Sequence, residues 1–161
     1  MEMPQPTAEH RWLQRLVGNW TFEVECQMGP DQPPMKNQGR ESVRSLGALW
    51  TIGTWDGETP GGDRSQSIIT LGFDPAKQRF VGTFVNDMMT HLWPYVGTLD
   101  ATGRILTLDS EGPSMSGDGL AKYQDIIEFI DDNQRTLSSQ TLGADGKWQP
   151  FMTAHFYRQS A

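Results

Sequence analysis

The chain has 161 residues, 20 of them Asp or Glu and 13 Lys or Arg, for a net charge of −7 with histidine neutral. Nucleic acid and anionic membrane surfaces demand clustered positive charge, and the basic residues here are scattered, so neither is an expected partner. The single Cys26 cannot form an internal disulfide, and no Cys/His cluster has metal-ligand spacing.

The opening MEMPQPTAEH has no basic segment followed by an apolar one, and no apolar run reaches membrane-spanning length. A cytoplasmic chain with no membrane insertion is expected, folded as a single domain over residues 1–161. That length buries roughly two thirds of the unfolded surface. Trp12, Leu13, Leu16 and Val17 recur at helical spacing, with Thr7 as N-cap, predicting a short helix over about 7–17. Gly18-Asn19-Trp20 then breaks the helix. From Trp20 onward Phe22, Val24, Cys26 and Met28 alternate with Thr21, Glu23, Glu25 and Gln27, the period of a strand with one face on a core.

Strands are predicted at 19–28, 39–46, 48–55, 66–73, 79–86, 91–99, 104–110, 120–130, 135–142 and 148–158. Turn-rich segments separate them: WDGETPGGD, FDPAKQ, LDATGR, EGPSMSGDG, IDDNQ and GADGK. Pro30, Pro33 and Pro34 mark a looser connection after the first strand. Many short, evenly spaced strands after one helix favour an all-β, antiparallel up-and-down barrel of 8–10 strands, because closure removes exposed edges. A β-sandwich is the rival architecture.

The last strand, FMTAHFYRQ, supports closure at the floor. If Arg158 stacks on Trp20, then Met152, Ala154 and Phe156 point inward and His155 points out. A G-x-W after an N-terminal helix, with Arg at the end of the final strand, resembles the calycin superfamily of lipocalins and fatty-acid-binding proteins. HRWLQRLVGNW, LGFDPAKQRFVGTFV, MTHLWPYVGTLDATGR and the closing FYR together resemble the bacterial family called domain of unknown function 1579. The resemblance spans nearly the whole chain. It implies a calycin-like barrel, with Trp20 and Arg158 in structural roles, and brings no established activity. Nitrobindins, also calycin-like barrels, hold haem through a His near the C-terminus. Here His155 faces outward by parity, and Thr21, Phe22 and Glu23 replace the glycine-rich continuation, so no haem, metal or other cofactor is expected.

The stretch NDMMTHLWPYVG is richest in chemistry. His91, Trp93 and Tyr95 share one parity and can line a cavity with apolar surface and polar tips; in the alternative, Leu92 and Val96 point inward and the aromatics form an outer patch. Pro94 removes a ladder donor and should make the strand an edge or bulge it. Met88 and Met89 precede this strand and either join the cavity or fill a core gap. Trp50 and Trp55 have opposite parities, so one of them faces in. Gly53 and Gly72 suggest bends or room for close approach. In KYQDIIEFI, one parity carries Tyr123, Asp125, Ile127 and Phe129; the other buries Ile126 and Ile130, exposes Asp125 at no cost, and is the expected one. No nucleophile–base motif is present.

The predicted function is therefore non-catalytic binding of a small apolar or amphipathic molecule by Trp55, Met88, His91, Trp93 and Tyr95. The rivals are an isomerase- or cyclase-type enzyme using His91, Tyr95 or Asp125 as acid and base, and a homodimeric interaction module with exposed aromatics.

Overall fold

A computed structural model describes residues 2–27 and 31–160. Met28 and Pro30, which entered the reading of the first strand and its connection, lie outside the described residues. Thr7 caps a helix α1, Ala8–Leu13, that tightens into a 3-10 turn, Gln14–Leu16. The cap is reciprocal. The Thr7 hydroxyl accepts from the His10 backbone, and the Thr7 backbone N–H donates to His10 Nδ1 at 2.9 Å. With Nδ1 accepting, Nε2 carries the proton and donates to the Phe73 carbonyl at 3.0 Å, tying the helix to the barrel.

Among the described residues ten antiparallel strands close into a barrel, each paired with its sequence neighbours, and β1 with β10. They are β1 Gly18–Cys26, β2 Met35–Leu46, β3 Trp50–Glu58, β4 Arg64–Asp74, β5 Arg79–Asn86, β6 Trp93–Leu99, β7 Ile105–Pro113, β8 Leu120–Asp131, β9 Gln134–Leu142 and β10 Trp148–Arg158. Several boundaries depart from the turn chemistry. β2 begins four residues before 39, β3 runs on through Asp56-Gly57-Glu58, and β7 runs through Glu111-Gly112-Pro113. The reason is pairing: Gln38 meets Glu58, and Gly112 meets Ala121, so ladder bonds override the local turn preference. Gly57 serves a packing role there, since a side chain on it would collide with Asn37.

Alternation puts Trp20, Phe22, Val43, Leu71, Phe80, Leu106, Phe129, Ala154 and Phe156 in one buried core at the helix end. No register shift falls at Gly53 or Gly72. A side chain at Gly53 would run into the Glu41 carboxylate inside, and one at Gly72 into the Trp50 ring, which is exposed on the outer wall. Trp55 is the inward tryptophan of β3.

Two strands settle differently from expectation. Pro94 pairs with Thr83 without any register shift, so no bulge forms in β6. Instead the β6–β7 ladder stops at Val96–Asp109. In β8 the inward parity is Tyr123, Asp125, Ile127 and Phe129, while Ile130 is exposed. The register that would have exposed Asp125 is overturned, because Ile127 and Phe129 fill the core more completely than Ile126 and Ile130 could. A real bulge falls between Pro150 and Met152, and it brings the Phe151 ring to 6.2 Å from Tyr123.

Candidate functional site

The helix end is a closed floor. Trp20 is 1 % exposed, and its indole N–H donates to the Leu16 carbonyl at 2.8 Å. The Arg158 guanidinium lies 4.2 Å from the Trp20 ring centre and donates to the carbonyls of Val17, Arg15 and Asp132 at 2.8, 2.6 and 3.0 Å. A planar fork that stacks and donates at once is the reason for arginine here. Gly18 has φ +137°, and a side chain on it would strike that guanidinium. The G-x-W hinge thus needs its glycine for both backbone and space.

One layer up sits an ion pair that the sequence reading missed. Glu41 and Arg135, each 3 % exposed, bond to each other, and the Trp55 indole N–H donates to Glu41. Arg135 also lies 4.5 Å from the Trp20 ring and 4.1 Å from the Phe156 ring. Burial lowers its pKa, and the Glu41 charge opposes that shift. A cavity of about 20 Å³, the size of one water, lies beside the pair, and Arg135 Nε has no hydrogen-bond partner among the described residues. The signal was available: Glu41 shares a parity with Val43, and Arg135 with Leu137, so each charge sits on an apolar face.

The opposite half is the mouth. Tyr95 is 3 % exposed and points in; its O–H donates to Asp125, and Ser139 Oγ donates to the other Asp125 oxygen at 2.5 Å. Burial raises the Asp125 pKa, with the Ser139 and Tyr95 bonds opposing it, and holds the Tyr95 hydroxyl well above its ordinary value. Ser110, paired with Tyr123 two pairs along β7, has a buried Oγ without a partner among the described residues.

Trp93 is half-buried on the same face, stacked edge-on with Tyr123 at 4.9 Å and with His91 at 4.6 Å. It lies over Gly112, where a side chain would displace it. His91 precedes β6, and its Nε2 sits 3.1 Å from the Glu111 carbonyl. That carbonyl can only accept, so His91 donates and secures the stretch where the β6–β7 ladder has ended. Trp55 meets Phe84 at 5.7 Å, and Phe84 pairs with Trp93. The inward side chains Trp55, Phe84, Trp93, Asp125 and Met152 remain half-buried, in contrast to the sealed floor.

The structure therefore brings together Trp55, Trp93 and Tyr95 on the inner face, with His91 at the rim. Met88 does not join them. It is 74 % exposed on the β5–β6 loop, where Asn86 Oδ1 accepts its backbone N–H at 2.8 Å, so loop capping holds it outside the barrel. Neighbouring Met89 offers its sulfur to the Trp93 indole N–H at 3.2 Å. Ser139, Phe84 and Tyr123 were not assigned to the site from sequence, and Asp125 entered only through the rival enzyme reading. His155 is exposed on the outer wall, and among the described residues no three His, Cys, Asp or Glu side chains are grouped as metal ligands. Among the described residues no helix is long and apolar enough to cross a membrane.

The family described as protein of unknown function (DUF1579) matches residues 5–158. No curated protein matches the chain. Among solved structures it is similar to Rv2717c from M. tuberculosis, at 15 % identity and a TM-score of 0.68, covering 97 % of this chain and 100 % of that one. It is also similar to the S-type phycobiliprotein lyase CPES from Guillardia theta, at 12 % identity and a TM-score of 0.66, covering 96 % and 94 %. A third similar structure is EF1p2_mFAP2b bound to DFHBI, at 16 % identity and a TM-score of 0.51, covering 93 % and 98 %. Identities this low carry the barrel fold alone.

Proposed function

The chain belongs to the DUF1579 family, and from that premise we propose that it binds a small apolar or amphipathic molecule in the mouth half of the barrel without transforming it. The observation that carries this reading is the contrast in burial between the two halves. Below, Trp12, Trp20, Phe80, Phe129 and Phe156 are buried. Above, Trp55, Phe84, Trp93 and Tyr123 present aromatic surface around Tyr95, Asp125 and Ser139. An apolar wall with a few convergent polar groups is the composition of a ligand pocket. A barrel of this fold holds DFHBI in one similar structure, which supports the architecture as a container. A cytoplasmic location belongs to the same proposal, and a homodimeric interaction module is its rival.

One observation favours a second reading. Tyr95 donating to an inward carboxylate is an acid–base pair, which a proton-transfer enzyme would use. His91 is engaged with Glu111 and would take no part in it.

The test uses N-phenyl-1-naphthylamine, a neutral apolar probe whose emission rises on leaving water. Saturable binding at one site per chain is expected, with energy transfer from tryptophan, weakened by Trp93→Ala. Absence of saturable binding, or binding indifferent to both Trp93→Ala and Trp55→Ala, would overturn the reading.

A further inference from the structure

Glu41 and Asp125 are both inward carboxylates hydrogen-bonded by an aromatic side chain, Trp55 for one and Tyr95 for the other. They differ in what balances the charge. Glu41 is paired with Arg135, whose guanidinium also covers the rings of Trp20 and Phe156. Asp125 has hydroxyl partners, Tyr95 and Ser139, and takes part in none of the ion pairs among the described residues. Likewise, every cation–π contact among the described residues belongs to Arg15, Arg135 or Arg158 at the floor. The mouth aromatics Trp55, Trp93, Tyr95 and Tyr123 have none.

We infer that the mouth takes an amphipathic organic cation, an amine or quaternary ammonium on an apolar body, with Asp125 as its counter-ion and the ring of aromatics around its charge. The inference rests on the ligand-binding reading above and narrows it. A carboxylate half-buried among aromatic rings is disfavoured as a lone charge, and a cation entering beside it removes that cost. Aromatic faces around an ammonium add attraction of their own once water is excluded. The same arrangement opposes a fatty-acid anion, which would place two carboxylates in one low-dielectric space. Ser110 Oγ, buried two residue pairs from Asp125 and unpartnered among the described residues, is a further acceptor for an N–H donor.

Three probes of one chain length separate the claims: octyltrimethylammonium, octanol and octanoate, below their micelle concentrations, followed by tryptophan fluorescence and calorimetry at physiological salt. The cation is expected to bind at least about tenfold tighter than octanoate, the worth of one desolvated ion or cation–π contact. In Asp125→Asn the ratio between the two should collapse toward one. A ratio that persists in Asp125→Asn would assign the preference to the acidic outer surface and overturn the inference. Octanoate binding as tightly as the cation would overturn it as well, leaving the binding reading intact. Failure of all three probes to bind would sink both.

A measurement on the unaltered protein covers the case in which the variant does not fold. Tyr95 from β6, Leu108 from β7 and Ser139 from β9 face Asp125, with Tyr123 and Ile127 beside it on β8. With 13C-labelled aspartate, the Asp125 carboxyl should titrate at lower pH when octyltrimethylammonium is bound. An unchanged titration in the saturated complex would contradict a direct ion pair.

Discussion

At the floor, a carboxylate, an arginine and two aromatic rings complete one another; at the mouth, a carboxylate and a set of rings are left without the cation. Glu41, Arg135, Trp20 and Phe156 form a closed unit in which the two charges are paired and both rings are covered by the guanidinium. Asp125, Tyr95, Trp93 and Tyr123 form an open one. The lesson is that a barrel interior with one set of residue types can be structural at one end and receptive at the other. Pairing of the inward carboxylate with a cation, more than composition, tells the two apart.

The comparison is broken most forcefully at the floor. Arg135→Ala strands Glu41 as an unpaired buried charge and should cost about 3–5 kcal/mol in urea unfolding. The double change Glu41→Leu with Arg135→Met should recover most of that loss, since an apolar pair of similar volume replaces an ion pair with little penalty. Trp20→Ala should cost about 3–5 kcal/mol for its cavity and for uncovering Arg158. A loss below about 1 kcal/mol in either single variant would remove the floor from its structural role.

At the mouth, effects on stability should be smaller and those on binding larger. Trp93→Ala removes a half-buried ring stacked on Tyr123 and His91, so about 1–2 kcal/mol of stability is expected alongside loss of probe binding. Asp125→Asn sharpens the comparison through pH. The folded-state pKa of Asp125 is raised, so the folded protein holds its proton more tightly than the unfolded chain does. Its contribution is therefore present at low pH and is lost as pH rises from the ordinary carboxylate value through the raised one. Relative to the parent, Asp125→Asn should gain stability as pH rises above the ordinary carboxylate value of about 4. A gap that stays constant over that range would contradict the raised value. His91→Ala should have the smallest effect, about 0.5–1.5 kcal/mol for one hydrogen bond to the Glu111 carbonyl, seen as faster amide exchange in β7 near Gly112.

Much of the floor was legible before any coordinates. The hinge glycine, Trp20 and the parity of Met152, Ala154 and Phe156 with Arg158 define it from the two ends of the chain. The faces of β6 and β8 were not, because both parities carry apolar groups: Leu92 and Val96 against Trp93 and Tyr95, Ile126 and Ile130 against Ile127 and Phe129. Only the closed register, which no single strand encodes, decides between them. Phe151 is a further case, since its inward turn depends on a bulge that alternation does not announce. Glu41 and Arg135 lie 94 positions apart, and nothing local links them.

The most direct test of a sealed floor beneath a receptive mouth uses the indole N–H signals of the six tryptophans. Saturating 15N-labelled protein with N-phenyl-1-naphthylamine should shift Trp55 and Trp93, while Trp12 and Trp20 in the floor and Trp50 on the outer wall stay in place. Shifts confined to Trp50, or spread evenly over floor and mouth, would contradict it.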